Sequence, residues 1–454
     1  MKASWPLGLT MGATGAVALL ALSASTAIAG GKTKIDFWYG NSGDISKRVQ
    51  EVCQHFNDSQ KDYEIVCTSQ GTYAGAVQNT IAAYRAGQQP TIVQVFDVGT
   101  LDLMLSDAYV PASKLMADEG YKVDWSNYLP GIRGYYATSQ GEMYSFPFNS
   151  STALLYWNKD AFQKIGKTEA PKTWEEAAED MKALKAAGYE CPFGFNISAD
   201  ESWQLLEQFS AVNDQPLATK DNGYGGLDAE LVFNKTKFVN YVTDLKSWYD
   251  QGLAVIKSKE SGEEMVPAFA SGHCQMILTS VGDHGSIGRT AAPDMHWSVA
   301  MLPTYAGVER KSSLVGGASL WVLQGKTKEE YKAAAAFLNF IAQPEQALFW
   351  STVTGYIPVT KTGYDFMVEK GFYQDPKYQG REIAIASLTA SDKLSQTHGT
   401  RLGGFLQIRN EVANGWQAIF SNKVPVQQGI DQMVERGNSI LRRFEATYKG
   451  KQLP

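Results

Sequence analysis

Residues 91–98 read Thr-Ile-Val-Gln-Val-Phe-Asp-Val (TIVQVFDV). A nearly continuous apolar run of this length, rich in β-branched residues and followed by Gly99-Thr100, is a strand buried on both faces. Upstream, Lys34–Tyr39 (KIDFWY) and Tyr63–Thr68 are two more strands. The segments between them carry helical periodicity. Ile45, Val49, Val52 and Phe56 recur at i, i+4, i+7 and i+11, and Val77, Ile81 and Tyr84 align within Ala74–Ala86. Strand, helix, strand, helix, strand with short connections predicts a mainly parallel sheet covered by helices. Ligands of such sheets sit at the carboxyl ends of the strands. Asp97, at the end of TIVQVFDV, is therefore a candidate site residue.

Downstream, a second unit begins after Pro147. Thr152–Trp157 (TALLYW) is a further apolar strand, and Thr173-Trp174-Glu175-Glu176 fits a capping box. The helix it opens keeps Trp174, Ala177, Met181 and Leu184 on one face and ends at Gly188. A second box, Thr327-Lys328-Glu329-Glu330, opens an Ala-rich helix with Phe337, Leu338 and Ile341 that stops before Pro344. Asp221–Gly226 (DNGYGG) is a turn-rich loop. There is no internal repeat, low-complexity run or flexible linker. Two α/β units joined in this way share an interface and more than one crossover.

The chain's 454 residues leave room for two or three domains at roughly 100–200 residues each. Lys plus Arg number 41 against 47 Asp plus Glu, a net charge of -6, which lacks the positive footprint that nucleic-acid binding needs. The aromatic share is 12%, with 11 Trp and 22 Tyr, and such rings suit polar organic ligands as well as cores. Residues 1–29 read as a secretory signal peptide: Lys2, an apolar run from Leu7 to Leu22, and an Ala27-Ile28-Ala29 pattern that predicts cleavage after Ala29. Ser, Thr and Gly interrupt that run, which falls short of the roughly 20 apolar residues of a membrane span. It contains no Cys for lipid attachment. The expectation is an exported protein that is not membrane-anchored.

In an oxidising compartment Cys53, Cys67, Cys191 and Cys274 form an even set. Cys53 with Cys67 would close locally and leave Cys191 with Cys274, although the other connectivities and buried free thiols stay open. The five His are scattered and no C-x-x-C occurs, so neither metal nor cofactor is expected. The G-x-S-x-G, H-E-x-x-H, Walker A and post-strand G-x-G-x-x-G motifs are absent, and no catalytic residue is nominated.

Ordered blocks then narrow the function. They are QVFDVGT (94–100), PFNSST (147–152), GGASLWV (316–322), TGYIP (354–358), RLG (401–403), QIR (407–409) and VERGN (434–438). In this order the chain resembles the sn-glycerol-3-phosphate-binding branch of the ABC-importer solute-binding proteins, within the large sugar-binding family typified by the maltodextrin binder. The resemblance implies a two-lobe α/β fold of type II with a ligand cleft between the lobes. It places residues 30–147 and 302–344 in an N-terminal lobe, and 148–301 and 345–454 in a C-terminal lobe, with three crossings. It also implies a periplasmic monomer whose lobes close on ligand and whose closed form docks on a permease served by a cytoplasmic ATPase.

The same resemblance implies a site. Tyr73 and Asp97 fall on the glycerol side, Ser151, Ser280, Gly317, Tyr356 and Arg409 around the phosphate, and Trp174 flanks the glycerol. The family carries Glu where this chain has Asp97, one methylene shorter. Each residue type suits its role. A guanidinium fork matches phosphate oxygens, a glycine lets its N–H approach an oxyanion, and a carboxylate accepts from hydroxyls. Each also has a structural alternative: Arg409 as a surface residue of a helix whose Ile408, Val412 and Trp416 face inward, Gly317 as a turn, the serines as caps, the aromatics as core. Because a carboxylate repels phosphate, the ligand should point hydroxyls toward Asp97 and phosphate toward Arg409. The expected ligand is sn-glycerol-3-phosphate or a glycerophosphodiester such as glycerophosphocholine. A binder of an unphosphorylated sugar or polyol, and an exported glycerophosphodiester or glycan hydrolase, are the competing readings. Arg409→Ala is expected to weaken glycerol-3-phosphate binding in calorimetry by at least roughly tenfold, about 1.4 kcal/mol, with melting of the free protein nearly unchanged.

Overall fold

The computed structural model describes residues 31–391 and 399–454, so the expected signal peptide lies outside the described residues. Eleven strands form two sheets: β1 (Thr33–Tyr39), β2 (Tyr63–Ser69), β3 (Ile92–Phe96), β4 (Tyr109–Val110), β5 (Phe146–Ser151), β6 (Ala153–Asn158), β7 (Cys191–Phe195), β8 (Ala254–Ile256), β9 (Cys274–Ser280), β10 (Trp297–Ala300) and β11 (Gly316–Leu323). The first sheet runs β2-β1-β3-β11-β4, with β5 also paired to β11; the second runs β10-β6-β9-β7-β8. All five residues of β3 are buried, as its apolar run requires.

Both sheets are mixed rather than mainly parallel. β1 pairs in parallel with β2 and β3, but β11 lies antiparallel to β3, β4 and β5. In the second sheet β7 is parallel to β8 and β9, whereas β6 is antiparallel to β9 and β10. The cause is the chain's traffic between the units. β5 leaves the first sheet and becomes β6 across the single residue Thr152, and β11 returns from the second unit by the opposite route. Thr152 ties the two routes together, donating from Oγ1 to Ser313 Oγ (2.7 Å) or to the Leu314 carbonyl (2.8 Å). Gln208 clamps the same point through both backbone groups of Leu314.

The lobe limits differ from those expected at two places. β5 belongs wholly to the first sheet, so the outward crossing lies after Ser151 rather than at Pro147. The helix Pro344–Val353 also packs on the first lobe: Trp350 stacks on Phe148 (4.9 Å between ring centres) and Phe349 lies against His55 (4.5 Å). Apolar contact with the first-lobe core decides the placement, and the core extends past residue 344.

Thr327 and Glu330 form the full reciprocal capping box. At the other predicted box Thr173 accepts from the Glu176 N–H (3.1 Å), but the Glu176 carboxylate reaches back to the Lys172 N–H (2.7 Å), one residue early. Two disulfides are closed. Cys53–Cys67 joins the helix Gly43–Ser59 to β2, and Cys191–Cys274 staples β7 to β9 at a directly paired position. The second bridge spans 83 residues, and a loop of that size restricts the unfolded chain by about 4–5 kcal/mol in the chain-entropy model. Cys191→Ala/Cys274→Ala is expected to lower stability by about 2–4 kcal/mol, read as a fall in the urea midpoint; an unchanged midpoint would show that the staple contributes nothing.

Candidate ligand site at the seam between the lobes

The carboxyl end of β3 brings Asp97 to the seam, as the strand-end argument requires. Backbone N–H groups of Val98 (2.6 Å) and Gly317 donate to its carboxylate. Gly317 has φ +109°, and a Cβ there would lie 1.9 Å from the Asn149 carbonyl oxygen. Glycine is obligatory at this crossing because β5 and β11 approach each other too closely for any side chain.

A buried amide network positions the phenols. Gln94, on β3, donates to the side-chain oxygens of Asn41 and Asn149 (both 2.8 Å) and accepts from the Gly40 N–H (2.8 Å). With their oxygens so engaged, Asn41 and Asn149 donate to the Tyr73 hydroxyl at 3.1 and 2.8 Å. Two donors saturate that oxygen and leave its proton for Tyr356 Oη, 3.5 Å away, or for the seam. The Tyr73 ring stacks on Phe96 and the Tyr356 ring on Trp350, which fixes both. Burial pushes both phenols above their ordinary range, so they are neutral donors. Ser280 accepts from the Gly282 N–H (3.0 Å) at the end of β9, which frees its own proton. A Cβ on Gly282 would touch both Tyr356 and Ser280 Oγ, so those two residues are neighbours. Ser151 lies beside Gly316, and the Trp203 ring covers the same glycine.

Arg409 lies on the helix Phe405–Phe420, whose Ile408, Val412 and Trp416 face the core. It is only 6% exposed, so the surface alternative fails. Its fork is occupied: Nε and Nη2 donate to the two carboxylate oxygens of Glu207 at 2.9 and 3.0 Å, and Nη2 stands 3.5 Å from Asp97. Glu207 and Asp97 are 3% and 7% exposed. Burial pushes the Asp97 carboxyl up to about 6; Arg409 pulls it down and Glu207 pushes it further up. Burial also works against the Arg409 charge, but the fields of Glu207 and Asp97 outweigh it and hold the guanidinium above its usual value.

These contacts correct three expectations. Asp97 and Arg409, expected toward opposite ends of the ligand, stand 3.5 Å apart. Trp174 is absent from the seam: it is 4% exposed and packs among Tyr241, Trp248 and Phe193 in the second-lobe core. Its helical stripe with Ala177, Met181 and Leu184 faces that core, as the periodicity already indicated. A different tryptophan, Trp203, lies over Gly316 beside Ser151, in the short turn Ser202–Gln204. Finally, Arg409→Ala cannot be silent in the free protein, because it strands a buried Glu207. Glu207 carried a signal of its own, a carboxylate inside the apolar stretch Leu205–Phe209.

Among the described residues no group of three His, Cys, Asp or Glu side chains is placed to hold a metal ion. An open cavity of about 800 Å³ lies elsewhere, lined by Thr138, Tyr224, Arg401 and the C-terminal residues. None of the seam residues lines it, and its Arg401 donates to the carbonyls of Tyr135 and Ala137.

Residues 51–380 match the sequence profile of the bacterial extracellular solute-binding protein family. The chain belongs to this family. Among relatives of this solute-binding protein, the Escherichia coli K12 sn-glycerol-3-phosphate-binding periplasmic protein UgpB is 40% identical over 423 residues, 92% of this chain and 94% of that one. The Shigella flexneri protein of the same name is 39% identical over the same span. Two solved structures share the fold: UgpB from Mycobacterium tuberculosis in complex with glycerophosphocholine (TM-score 0.74, 23% identity, 91% of this chain and 100% of that one) and the sugar-binding protein MalE from Xanthomonas citri (0.70, 19%, 92% and 100%).

Removing one partner of a buried pair costs about 3–5 kcal/mol. Arg409→Ala is expected to lose that much stability, and Arg409→Ala/Glu207→Ala to recover part of it in a double-mutant cycle read by urea unfolding. Strict additivity would show that the pair is not coupled.

Proposed function

We propose that this protein is the substrate-binding component of an ABC importer. It captures sn-glycerol-3-phosphate, and glycerophosphodiesters such as glycerophosphocholine, between its lobes and hands them to the permease subunits and their cytoplasmic ATPase. The observation that carries this reading is 40% identity along 92% of the chain to a protein of that name. The seam supports it with neutral donors from both lobes: the hydroxyls of Ser151, Ser280, Tyr73 and Tyr356. Arg409 is the cation, Asp97 an acceptor for glycerol hydroxyls, and Trp203 an apolar wall in the place expected of Trp174. Closure selects the ligand-bound state through contacts made only when the lobes meet. The Asp44–Arg289 pair, which joins the first-lobe helix Gly43–Ser59 to the second-lobe helix His284–Thr290, is one such contact.

The protein acts as a carrier rather than an enzyme, in the periplasm, as a monomer released by cleavage after Ala29. No helix among the described residues is long and apolar enough to cross a membrane. Calorimetric titration is expected to show binding of glycerol-3-phosphate and glycerophosphocholine and none of glycerol or maltose. Maltose binding with no response to either phosphate ester would overturn the reading. Glycerophosphocholine incubated with the protein should give no new phosphomonoester signal in phosphorus NMR; its appearance would make the protein a hydrolase.

A further inference from the structure

We propose that Glu207 is a specificity-determining residue of the seam: with Asp97 it surrounds the Arg409 guanidinium with two carboxylates, and the site therefore accepts a phosphate group as a monoanion. The proposal rests on the phosphate-ester reading above and adds the charge state of the cargo.

The geometry is a closed account of charge. Glu207 engages Arg409 through both oxygens, and Asp97 Oδ1 stands 3.5 Å from Nη2 on the other side. The three groups are all nearly withdrawn from water, where fields are screened least. One cation and two anions leave an excess negative charge when both carboxylates are ionised. The ionisable groups facing them from neighbouring elements are phenols: Tyr73 on the helix Tyr73–Arg85, and Tyr135 and Tyr136 on the helix Pro130–Tyr136. Burial raises all three phenols, so they stay neutral between pH 5 and 8 and cannot offset the excess. A phosphate monoanion meets a site that one shared proton makes neutral. A dianion adds a second charge against the same carboxylates.

The two proposed ligands differ in just this respect. A phosphomonoester loses its second proton near pH ~6, whereas a phosphodiester keeps a single negative charge throughout. Raising the pH also ionises Asp97, whose carboxyl sits at about 6, and that change weakens both ligands. The ratio of their dissociation constants isolates the ligand's own second ionisation. With the wild-type protein, the ratio for glycerol-3-phosphate over glycerophosphocholine should rise at least tenfold between pH 5.5 and 8, in the direction of weaker monoester binding at high pH. Glu207→Gln removes the excess charge and retains an oxygen to accept from Arg409; its ratio should change less than threefold. A second readout needs no variant. Calorimetry at pH 7.5 in buffers of different ionisation enthalpy should show uptake of about one more proton per glycerol-3-phosphate bound than per glycerophosphocholine bound.

A wild-type ratio constant within threefold, equal proton uptake with the two esters, or a Glu207→Gln profile that rises as steeply as wild type would each overturn the proposal while leaving the carrier reading in place. Absence of binding by both esters at every pH would overturn the carrier reading itself, and this proposal with it.

Discussion

A guanidinium held between two buried carboxylates ties together parts of the chain that share no local sequence. Asp97 comes from the tip of β3 in the first lobe, Glu207 from a helix after β7, and Arg409 from the C-terminal helices. Removing Arg409 strands two buried carboxylates in a low-dielectric seam, and such stranding costs more than the intact pair contributes. The surrounding order follows from that constraint. Gly317 has to come close enough to donate its N–H to Asp97, so β5 and β11 converge with no room for a side chain. The amide network on Gln94 then fixes the Tyr73 hydroxyl, whose ring stacks on Phe96 beside Asp97.

The same constraint separates what sequence could and could not reveal. Periodicity is local, so strands such as 91–98, the Thr327 capping box and the inward face of the helix after Thr173 were readable to within a residue or two. Strand direction is not local. The apolar pattern of β11 is the same whether it runs with or against β3, and only the route from the second lobe makes it antiparallel. At Trp174 the two kinds of signal disagree: the resemblance points to the ligand, and the apolar stripe with Ala177, Met181 and Leu184 points to the core, where the ring packs against Tyr241. The pairing of Glu207 is not legible in the sequence, because its partner lies 202 residues away, a distance at which spacing carries no information. The resemblance compensates for part of this by naming Tyr73, Asp97, Ser151, Ser280, Gly317, Tyr356 and Arg409 together, and among them Tyr73 meets Tyr356 and Asp97 meets Gly317 and Arg409. It does not supply their mutual geometry: Asp97 and Arg409, which it assigns to opposite ends of a ligand, stand 3.5 Å apart.

Electrostatics at the seam also accounts for how a mildly acidic protein can handle an anion. The net charge is diffuse and screened, whereas local donors are fixed: the Tyr73 and Ser280 hydroxyls, whose oxygens already accept, and a guanidinium whose direction is set by its carboxylate partners. Neutral donors dominate in number, and the cation is held nearly balanced. Such a site distinguishes ligands by hydrogen-bond geometry and protonation rather than by gross attraction.

The crossing at Thr152 has a consequence for the order in which the molecule can be made. β3 finds its second neighbour in β11, residues 316–323, which emerge only after the whole of the second sheet has been synthesised. Until then the first lobe has an open edge through its centre and half its core uncovered, so it cannot complete folding in the order of synthesis. The interleaving that couples the lobes in the finished protein also keeps the unfinished one pliable.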